Sequence, residues 1–560
     1  MNWRYKFCLS VIVVAFLLVV LRLFYWQVVK AQELSNLGDL QYGSAIKILP
    51  KRGEIRTSDG FPIATNKVSY QIYANPKEIS NKEATAQVIS SILGVDVASV
   101  SANLFLDRVW VPIKAKVDTE TKQNLEKLGL KGVGFTEQYT RFYPEGSMAA
   151  GLIGFVGKDN EGNDKGYFGL EGFYDRLLKG EGGAAKTYTD AFGRPILAKL
   201  DESTGKVDGK SIILSIDRSV QFLVEKKLKS GIERYGASSG MVGIMDPKTG
   251  QIIALSAFPS FDPTTYYEFE PELYKNPFIS DLYEPGSTFK PLVMSSALDA
   301  KLVTPTTKCD ICAGPVAIGG YDIHTWNDKY QKNINMIETI QHSDNTGMVF
   351  VAKKLGLDGM LNFLSKFGIG DTTGIDLQGE VYAPLKEKNQ WYEVDLATTG
   401  FGQGISITPI QLLTAIGAIA NEGKRMEPHV VAAVENNEGK FIKIEPKVIE
   451  TPISGQTAKV MAEIMVNAVN KGEASWARVK GYRIAGKTGT ASIPIAGHYD
   501  PNQTIASFVG FAPSNDPKFV MIVIINRPTT SIYGAETAAP VFFDIARSLL
   551  NYYGIPPEGE

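Results

Sequence analysis

The stretch EPGSTFKPLV, residues 284–293, holds Ser287 and Lys290 in a Ser-x-x-Lys pattern where a helix is expected to begin. Pro291 indicates the helix start, because proline lacks an N–H and is tolerated in a helix only around its first turn. Residues three apart on a helix share a face, so the Lys290 amine can reach the Ser287 hydroxyl. A serine hydroxyl needs a neighbouring base, and a lysine can be that base when burial or a helix N-terminus lowers its pKa. The stretch therefore predicts acyl-serine chemistry.

The Ser-x-x-Lys pattern alone has little specificity, because it also occurs at Ser44/Lys47 and at Ser203/Lys206. Both of these matches fall in a predicted linker or hinge, without a helix start. We interpret them as chance matches, so the stretch at 284–293 needs support from other motifs.

Two triplets further along the chain supply that support. The first is SDN, residues 343–345, which precedes an apolar helix and would also serve as an ordinary N-cap. The second is KTG, residues 487–489, in the predicted strand YRIAGKTGTASI, whereas another KTG at 248–250 lies in a Pro-led hairpin turn. In this order, Ser-x-x-Lys, Ser-x-Asn and a strand with Lys-Thr-Gly form the motif set of penicillin-binding proteins and class A β-lactamases. The set provides a nucleophile with its base, a proton relay and an edge strand for the substrate.

An apolar run near the N-terminus, FCLSVIVVAFLLVVL at residues 7–21, follows Arg4 and Lys6. With the LFYW that comes after Arg22, it reaches the length of about 20 residues that a bilayer span needs. No small-residue cleavage site follows, which favours an uncleaved anchor over a cleaved signal peptide. The basic N-terminus should stay in the cytoplasm, which would place everything after about residue 28 outside.

The rest of the chain, 560 residues in all, is too long for a single core. Residues 52–200 mix short alternating runs with a helical stretch, in an α+β style, and DESTGKVDGK at 201–210 has the composition of a hinge. Beyond it, strands from residue 211, a helical middle over 287–420 and late strands predict a sheet flanked by helices.

The overall charge and the cysteines restrict the possible partners. A net charge of −2 leaves no basic surplus for nucleic acid. Cys309 and Cys312 form a lone CxxC with only His324 nearby, which is too few ligands for zinc. Outside the cytoplasm a local disulfide is favoured over metal, with a pair of free thiols as the alternative. Neither a metal nor another cofactor is predicted.

Longer segments resemble one family. YEPGSTFKP, SDN, TTGFGQGISITPIQL at 398–412 and GYRIAGKTGTAS together resemble a class B penicillin-binding protein of the septal, division type. Upstream, the segments that resemble the pedestal domain of that family are RGEIRTSDGFPIA (52–64), RFYPEGSMAAGLIGFVG (141–157) and GLEGFYDRLLKGEGG (169–183). The organisation that the resemblance implies is a cytoplasmic tail (1–6), a single transmembrane helix (7–27), a linker (28–50), an α+β pedestal domain (51–205), and an α/β penicillin-binding transpeptidase domain with an antiparallel sheet flanked by helices (206–556).

The resemblance also implies roles for the first two motifs. Ser287 would be the acylated nucleophile and Lys290 the base that activates it. Ser343 would relay protons, and Asn345 would bond the amide of the donor peptide. Asp344 departs from the family pattern, which often has a small residue there.

Roles for the third motif follow in the same way. Lys487, Thr488 and Thr490 would bind the terminal carboxylate of a stem peptide ending in D-alanyl-D-alanine, and Gly489 would let the peptide backbone come close. The N–H groups of Ser287 and Thr490 would form the oxyanion hole. The segment GEASWARVKGY, 472–482, brings extra charge and a tryptophan just before this strand, which also departs from the family pattern.

The implied function is a D,D-transpeptidase that cross-links peptidoglycan stem peptides in septal cell-wall synthesis. A D,D-carboxypeptidase shares the acylation half of the reaction and stays open, as does a catalytically silent scaffold or β-lactam sensor. The implied partners are a membrane glycosyltransferase and other cell-division proteins, since no polymerase domain precedes the pedestal. β-Lactam antibiotics would be covalent inhibitors.

Overall fold

The structure is a computed structural model that describes residues 2–34, 37, 43–188, 205–436, 438–495 and 498–558. Residues 35, 36 and 38–42 of the predicted linker at 28–50, and residues 201–204 of the predicted hinge with Ser203, lie outside this range. The chain divides into two compact units: the first is Met1–Arg52, Asn66–Thr140 and Lys179–Gly209, and the second is Gly53–Thr65, Arg141–Leu178 and Lys210–Glu560. The predicted domain limits, 51–205 and 206–556, stay predictions.

The strands are numbered along the chain. They are β1 (Gly43–Ile48), β2 (Ile55–Arg56), β3 (Pro62–Ala74), β4 (Val111–Val117), β5 (Val133–Phe142), β6 (Phe155–Lys158), β7 (Asp164–Tyr167), β8 (Gly183–Tyr188), β9 (Ser211–Leu214), β10 (Ser239–Met245), β11 (Ile252–Phe258), β12 (Val316–Ile318), β13 (Tyr321–Ile323), β14 (Arg425–Met426), β15 (Val431–Glu435), β16 (Phe441–Lys443), β17 (Val448–Glu450), β18 (Ala485–Ile495), β19 (His498–Ala512) and β20 (Phe519–Asn526).

The α-helices are numbered in the same way. They are α1 (Trp3–Phe24), α2 (Lys82–Leu93), α3 (Val97–Leu104), α4 (Thr119–Glu126), α5 (Ala150–Ile153), α6 (Gly169–Phe173), α7 (Asp175–Leu178), α8 (Arg218–Tyr235), α9 (Pro277–Ser280), α10 (Lys290–Asp299), α11 (Met336–Gln341), α12 (Asn345–Lys366), α13 (Glu393–Thr399), α14 (Pro409–Ala420), α15 (Gly455–Lys471) and α16 (Ala538–Tyr552).

The N-terminal helix α1 has no buried residue and continues as one π-helical turn over Tyr25–Val29. The whole element, Trp3–Val29, has 27 residues and is long and apolar enough to cross a membrane. At 1.5 Å per residue it spans about 40 Å, more than the roughly 30 Å hydrocarbon core of a bilayer. Among the described residues it is the one helix of this kind. Its length and composition indicate a membrane anchor.

The first unit has an α+β core. The residues of β3 that belong to this unit pair with β4 and β5, and α2, α3 and α4 supply the helices. Asn81 caps α2 by accepting a hydrogen bond from the Ala84 N–H, and Gly94 ends the helix in the left-handed conformation. The apolar faces of these elements meet around Ile72, Ile89 and their neighbours, which are fully buried.

The second unit is built on a five-stranded antiparallel sheet in the order β11-β10-β20-β19-β18. Alternate residues of the central strand β20 point to opposite faces, as in any strand. Val520, Ile522 and Ile524 belong to one buried cluster, whereas Met521 and Val523 belong to another. Helices α8 and α16 pack on one face, and α14 and α15 on the other. The predicted antiparallel sheet flanked by helices is confirmed.

Some local features of this unit match the predictions from the sequence, and one strand differs from them. The triplet at 248–250 lies in the turn between β10 and β11, as predicted. The strand predicted at 211–216 is present as β9, but it belongs to a second sheet, where it pairs with β15 and β2. Cys309 and Cys312 are joined by a disulfide.

A buried ion pair joins two of the segments that resemble the pedestal. Arg141 donates from Nε to Glu171 at 2.6 Å and from Nη1 to the Gly53 carbonyl oxygen at 2.7 Å. The side chains of Arg141 and Glu171 are 4% and 0% exposed, so water cannot replace a lost partner. Breaking a buried pair from one side typically costs about 3–5 kcal/mol.

We therefore expect the Glu171→Ala variant to unfold at a distinctly lower denaturant concentration than the wild-type protein. The control is Glu438→Ala, which removes the carboxylate of an exposed pair with Lys440 and should leave the midpoint nearly unchanged. Chemical denaturation followed by tryptophan fluorescence measures both variants. Equal midpoints for the two would contradict a structural role for the buried pair.

Candidate active site

Ser287 lies in a short 3-10 turn, Gly286–Phe289, that leads directly into α10. Pro291 is in the first turn of that helix, as the sequence predicts. Gly286 has a φ of +56° and donates its N–H to the Gly402 carbonyl oxygen at 2.9 Å. A methyl group at Gly286 would lie 3.4 Å from the Thr490 carbonyl oxygen. The positive φ favours glycine at this position, and the turn that carries Ser287 lies in contact with β18.

The side chains of Lys290, Ser343 and Ser287 form one hydrogen-bonded chain, which Asn345 joins at Lys290. Lys290 Nζ donates to the Ser343 carbonyl oxygen at 2.6 Å, to Asn345 Oδ1 at 2.8 Å and to Ser343 Oγ at 3.3 Å. Ser343 Oγ in turn donates to Ser287 Oγ at 2.9 Å. Ser343 thus connects the amine of Lys290 with the hydroxyl of Ser287.

The Ser-Asp-Asn triplet combines two tasks. Asp344 is the N-cap of α12, where its Oδ1 accepts hydrogen bonds from the Gly347 N–H at 2.8 Å and from Thr346 Oγ1 at 2.6 Å. Ser343, just before it, has a φ of +55°, a left-handed conformation that non-glycine residues rarely adopt. Such strained positions cluster at functional sites. The cap fixes the helix start, and the turn presents Ser343 to Ser287.

The Lys-Thr-Gly triplet lies on β18, which ends the order of the five-stranded sheet. Lys487 is 3% exposed, and its Nζ donates to Thr488 Oγ1 at 2.9 Å and to the Thr488 carbonyl oxygen at 3.1 Å. Thr490 Oγ1 accepts a hydrogen bond from the Gly534 N–H at 3.0 Å. The last strand of the sheet therefore carries a buried lysine, and the neighbouring residue Thr488 holds its ammonium in place.

Gly489 is needed for the packing of the protein itself. A methyl group there would come within 2.4 Å of Ser507 Oγ and 2.8 Å of Thr288 Cγ2. Thr288 follows the proposed nucleophile, so any larger residue at 489 would push β18 away from the turn that carries it. The prediction that a Cβ at Gly489 would obstruct a bound peptide stays a prediction.

Burial sets the electrostatics of the two lysines. Lys290 is 0% exposed, and burial, helped by the nearby positive charge of Lys487, lowers its pKa to about 7, against the opposing effect of Asp344 and Glu473. Burial also lowers the pKa of Lys487, and Glu473 opposes that shift. A large fraction of Lys290 is therefore an uncharged amine near neutral pH and can accept a proton.

Two polar contacts of this site have no counterpart among the predicted residues. Glu473 Oε2 accepts a hydrogen bond from Thr488 Oγ1 at 3.0 Å. Trp326 donates from Nε1 to the His342 carbonyl oxygen at 3.0 Å, next to Ser343. The departure of the segment 472–482 from the family pattern was the available signal for Glu473, whereas no pattern singles out Trp326.

Comparisons with known proteins identify the family of the chain. The family model of the penicillin binding protein transpeptidase domain matches residues 240–547, and that of the penicillin-binding protein dimerisation domain matches residues 47–214. The chain is 33% identical to stage V sporulation protein D of Bacillus subtilis, over 99% of this chain and 86% of that protein. It is 28% identical to the peptidoglycan D,D-transpeptidase FtsI of Escherichia coli, over 100% of this chain and 93% of that protein.

A solved structure shows a similar fold. The crystal structure of a peptidoglycan synthetase from Bifidobacterium adolescentis superposes with a TM-score of 0.75 and 26% identity, over 92% of this chain and 98% of that one. The transpeptidase match alone covers more than half of the chain, and it contains all three motifs of the site. The chain therefore belongs to the penicillin-binding protein transpeptidase family, and the dimerisation domain that precedes its transpeptidase domain gives it the architecture of a class B member.

Proposed function

We propose that this protein is a serine-type D,D-transpeptidase that cross-links peptidoglycan stem peptides through an acyl-enzyme on Ser287. The observation that carries the proposal is the hydrogen-bonded chain from Lys290 through Ser343 to Ser287. These hydrogen bonds join the Ser287 hydroxyl to the buried amine of Lys290, whose pKa is about 7, beside the edge strand β18 of the sheet. The name of the Escherichia coli relative agrees with this reaction.

Acylation begins when Ser287 Oγ attacks the carbonyl carbon of the penultimate D-alanine. Lys290 takes the serine proton, directly or through the hydroxyl of Ser343, and the carbonyl oxygen gains a negative charge. The N–H groups of Ser287 and Thr490 stabilise that oxyanion. The C–N bond then breaks, the proton passes to the leaving nitrogen, and D-alanine departs with an ester left on Ser287.

Deacylation returns the enzyme to its starting state. An acceptor amine attacks the ester carbonyl, loses its proton toward Lys290 and forms the new amide. The C–O bond to Ser287 breaks, and the serine oxygen recovers a proton. If water takes the place of the amine, the product is a carboxylic acid, as in a D,D-carboxypeptidase.

The donor peptide lies along the edge of β18 as an added strand. The ammonium of Lys487 and the hydroxyls of Thr488 and Thr490 bind its terminal carboxylate, and Asn345 bonds its amide. A β-lactam carries a carboxylate and a strained amide in the same relation, so it acylates Ser287 and blocks the site.

The acceptor separates transpeptidation from hydrolysis. The test incubates the full-length protein in detergent with a donor peptide ending in D-alanyl-D-alanine and an amine acceptor, and mass spectrometry identifies the products. A cross-linked amide is expected to form faster than the free acid. Release of D-alanine with only the free acid would favour the carboxypeptidase.

The acylation rate should follow the charge of Lys290. A base must be unprotonated, so the rate is expected to rise as the pH increases through about 7, the pKa of Lys290. The Lys487 ammonium must stay charged. Because burial lowers its pKa, the rate should decrease again as the pH rises further, and this decrease should begin at a lower pH than the one at which an exposed lysine titrates. Stopped-flow labelling with a fluorescent penicillin measures this bell-shaped profile. A constant rate between about pH 6 and pH 8 would contradict Lys290 as the base.

The proposal extends to the setting of the enzyme. The helix Trp3–Val29 anchors it in the cytoplasmic membrane with the N-terminus inside, a pedestal at 51–205 follows, and a transpeptidase domain at 206–556 acts outside. A membrane glycosyltransferase and other cell-division proteins are its proposed partners at the septum. Depletion in its own organism should give filamentous cells, whereas a defect confined to sporulation would place the protein with the Bacillus subtilis relative instead.

A further inference from the structure

The segment between α15 and β18 brings an acidic side chain to the site. Helix α15 ends at Lys471, and Gly472 turns the chain so that Glu473 approaches β18. A methyl group on Gly472 would come within 2.3 Å of the Ala468 carbonyl oxygen and 2.8 Å of the Gln341 carbonyl oxygen. The end of α15 is therefore packed against the end of α11, two residues before Ser343. Glu473 lies where the elements of the second and third motifs meet.

The carboxylate of Glu473 has one hydrogen bond and one buried, unpaired oxygen. Its Oε2 accepts from Thr488 Oγ1 at 3.0 Å, and that hydroxyl itself accepts from Lys487 Nζ at 2.9 Å. Its Oε1 is buried and has no hydrogen-bond partner among the described residues. A buried carboxylate oxygen without a partner is costly. Nearby positive charge can offset that cost, and the two buried lysines provide it.

The positive charges of two lysines at this site are offset by the negative charges of two acids. Lys290 from α10 and Lys487 from β18 are both buried. The groups whose charges act on them are Asp344 at the start of α12 and Glu473 after α15. Asp344 accepts hydrogen bonds at the start of its own helix. Glu473 is the acid that reaches Lys487 through a shared hydroxyl.

We propose that Glu473 is a positioning residue of the acylation site, which holds the Lys487 ammonium in place through the Thr488 hydroxyl and supplies the counter-charge of the two buried lysines. The inference rests on the proposed function, because it concerns how Lys487 is kept ready for a substrate carboxylate. Glu473 does not touch the reacting atoms. It acts on the substrate through Thr488 and Lys487.

Removing this negative charge should change both limbs of the pH profile in the same direction. Glu473 raises the pKa of Lys290 and that of Lys487, so both should fall in its absence. Lys290 would then be an active base at lower pH, which moves the acidic limb of the profile to lower pH. Lys487 would lose its proton at lower pH, which moves the alkaline limb to lower pH as well. A role limited to packing would instead lower the rate equally at every pH.

The experiment compares the Glu473→Gln, Glu473→Asp and Glu463→Gln variants with the wild-type protein, all full-length in detergent. Glu463 is a matched control, because it lies on α15 but forms an exposed ion pair with Arg483. The second-order rate of acylation by a fluorescent penicillin is measured between about pH 5 and pH 10. A melting curve of each variant confirms that it is folded.

The Glu473→Gln profile should shift as a whole to lower pH by about one unit, the lower end of what a nearby charge contributes. Its rate should drop about tenfold on the alkaline limb and stay equal or rise on the acidic limb. Glu473→Asp keeps the charge and should keep the wild-type limbs, and Glu463→Gln should match the wild type throughout. An unshifted Glu473→Gln profile, a uniform loss at all pH values, or an equal shift in Glu473→Asp would overturn the inference. Absence of acylation in the wild type would instead overturn the proposed function.

Discussion

The Ser287→Ala variant should form no covalent adduct with a fluorescent penicillin, under conditions in which the wild-type protein is labelled completely. The variant lacks the oxygen that would carry the acyl group, so no other change in the site can compensate. Removing the nucleophile of a serine hydrolase typically lowers the rate by about 10⁶-fold. The measurement is a labelled band on a denaturing gel, with mass spectrometry of the adduct.

The matched control for this experiment is Ser295→Ala, on helix α10, which follows the turn that carries Ser287. Ser295 is buried, and its hydroxyl donates to the Leu292 carbonyl oxygen at 2.9 Å, away from the network around Ser343. This variant should be labelled like the wild type. A labelled Ser287→Ala protein would show that another residue is acylated, and a folded wild-type protein without any label would favour the silent scaffold.

The second large effect is expected for Lys290→Ala. Loss of a general base typically costs about 10²–10⁴-fold in rate, so acylation should nearly disappear while the fold is retained. The fold survives because α10 is held by its other buried residues, such as Leu292 and Val293. The acylation rate and the melting temperature are measured on the same preparation.

A control for the loss of a lysine is Lys353→Ala. Lys353 lies on α12 with its side chain 41% exposed, and it pairs with Glu393 at 3.5 Å. Its removal should change neither the rate nor the melting temperature noticeably. Near-normal acylation in Lys290→Ala would remove this lysine from the mechanism, and the pH profile would then need another titrating group.

Features that depend on local sequence could be predicted. The apolar runs of the late strands predict that these strands exist, and Pro291 predicts where α10 begins, because both depend on neighbouring residues alone. The motif order also predicts that Ser287 and Lys487 serve one site. The structure places the turn that carries Ser287 against β18, the strand of Lys487.

Features that depend on contacts between distant segments could not be predicted. The left-handed backbone of Ser343 and the contact between Glu473 and Thr488 arise only when α11, α15 and β18 are packed together. Gly489 shows the same limit, since the atoms that exclude a side chain belong to Ser507 and to the turn that carries Ser287. A motif identifies which residues matter before it shows what each one contacts.

The open edge of β18 also concerns the solubility of the protein. An unpaired strand edge is a template on which strands of other chains can assemble, and most proteins cover such edges or shorten them. The proposed substrate would add to this edge as a strand, so the edge can be neither covered nor shortened without losing that binding. Lys487 on this strand is buried, and an inward-pointing charge is one of the devices that discourage aggregation. The side chain that is proposed to bind the substrate carboxylate would therefore also protect this edge against aggregation.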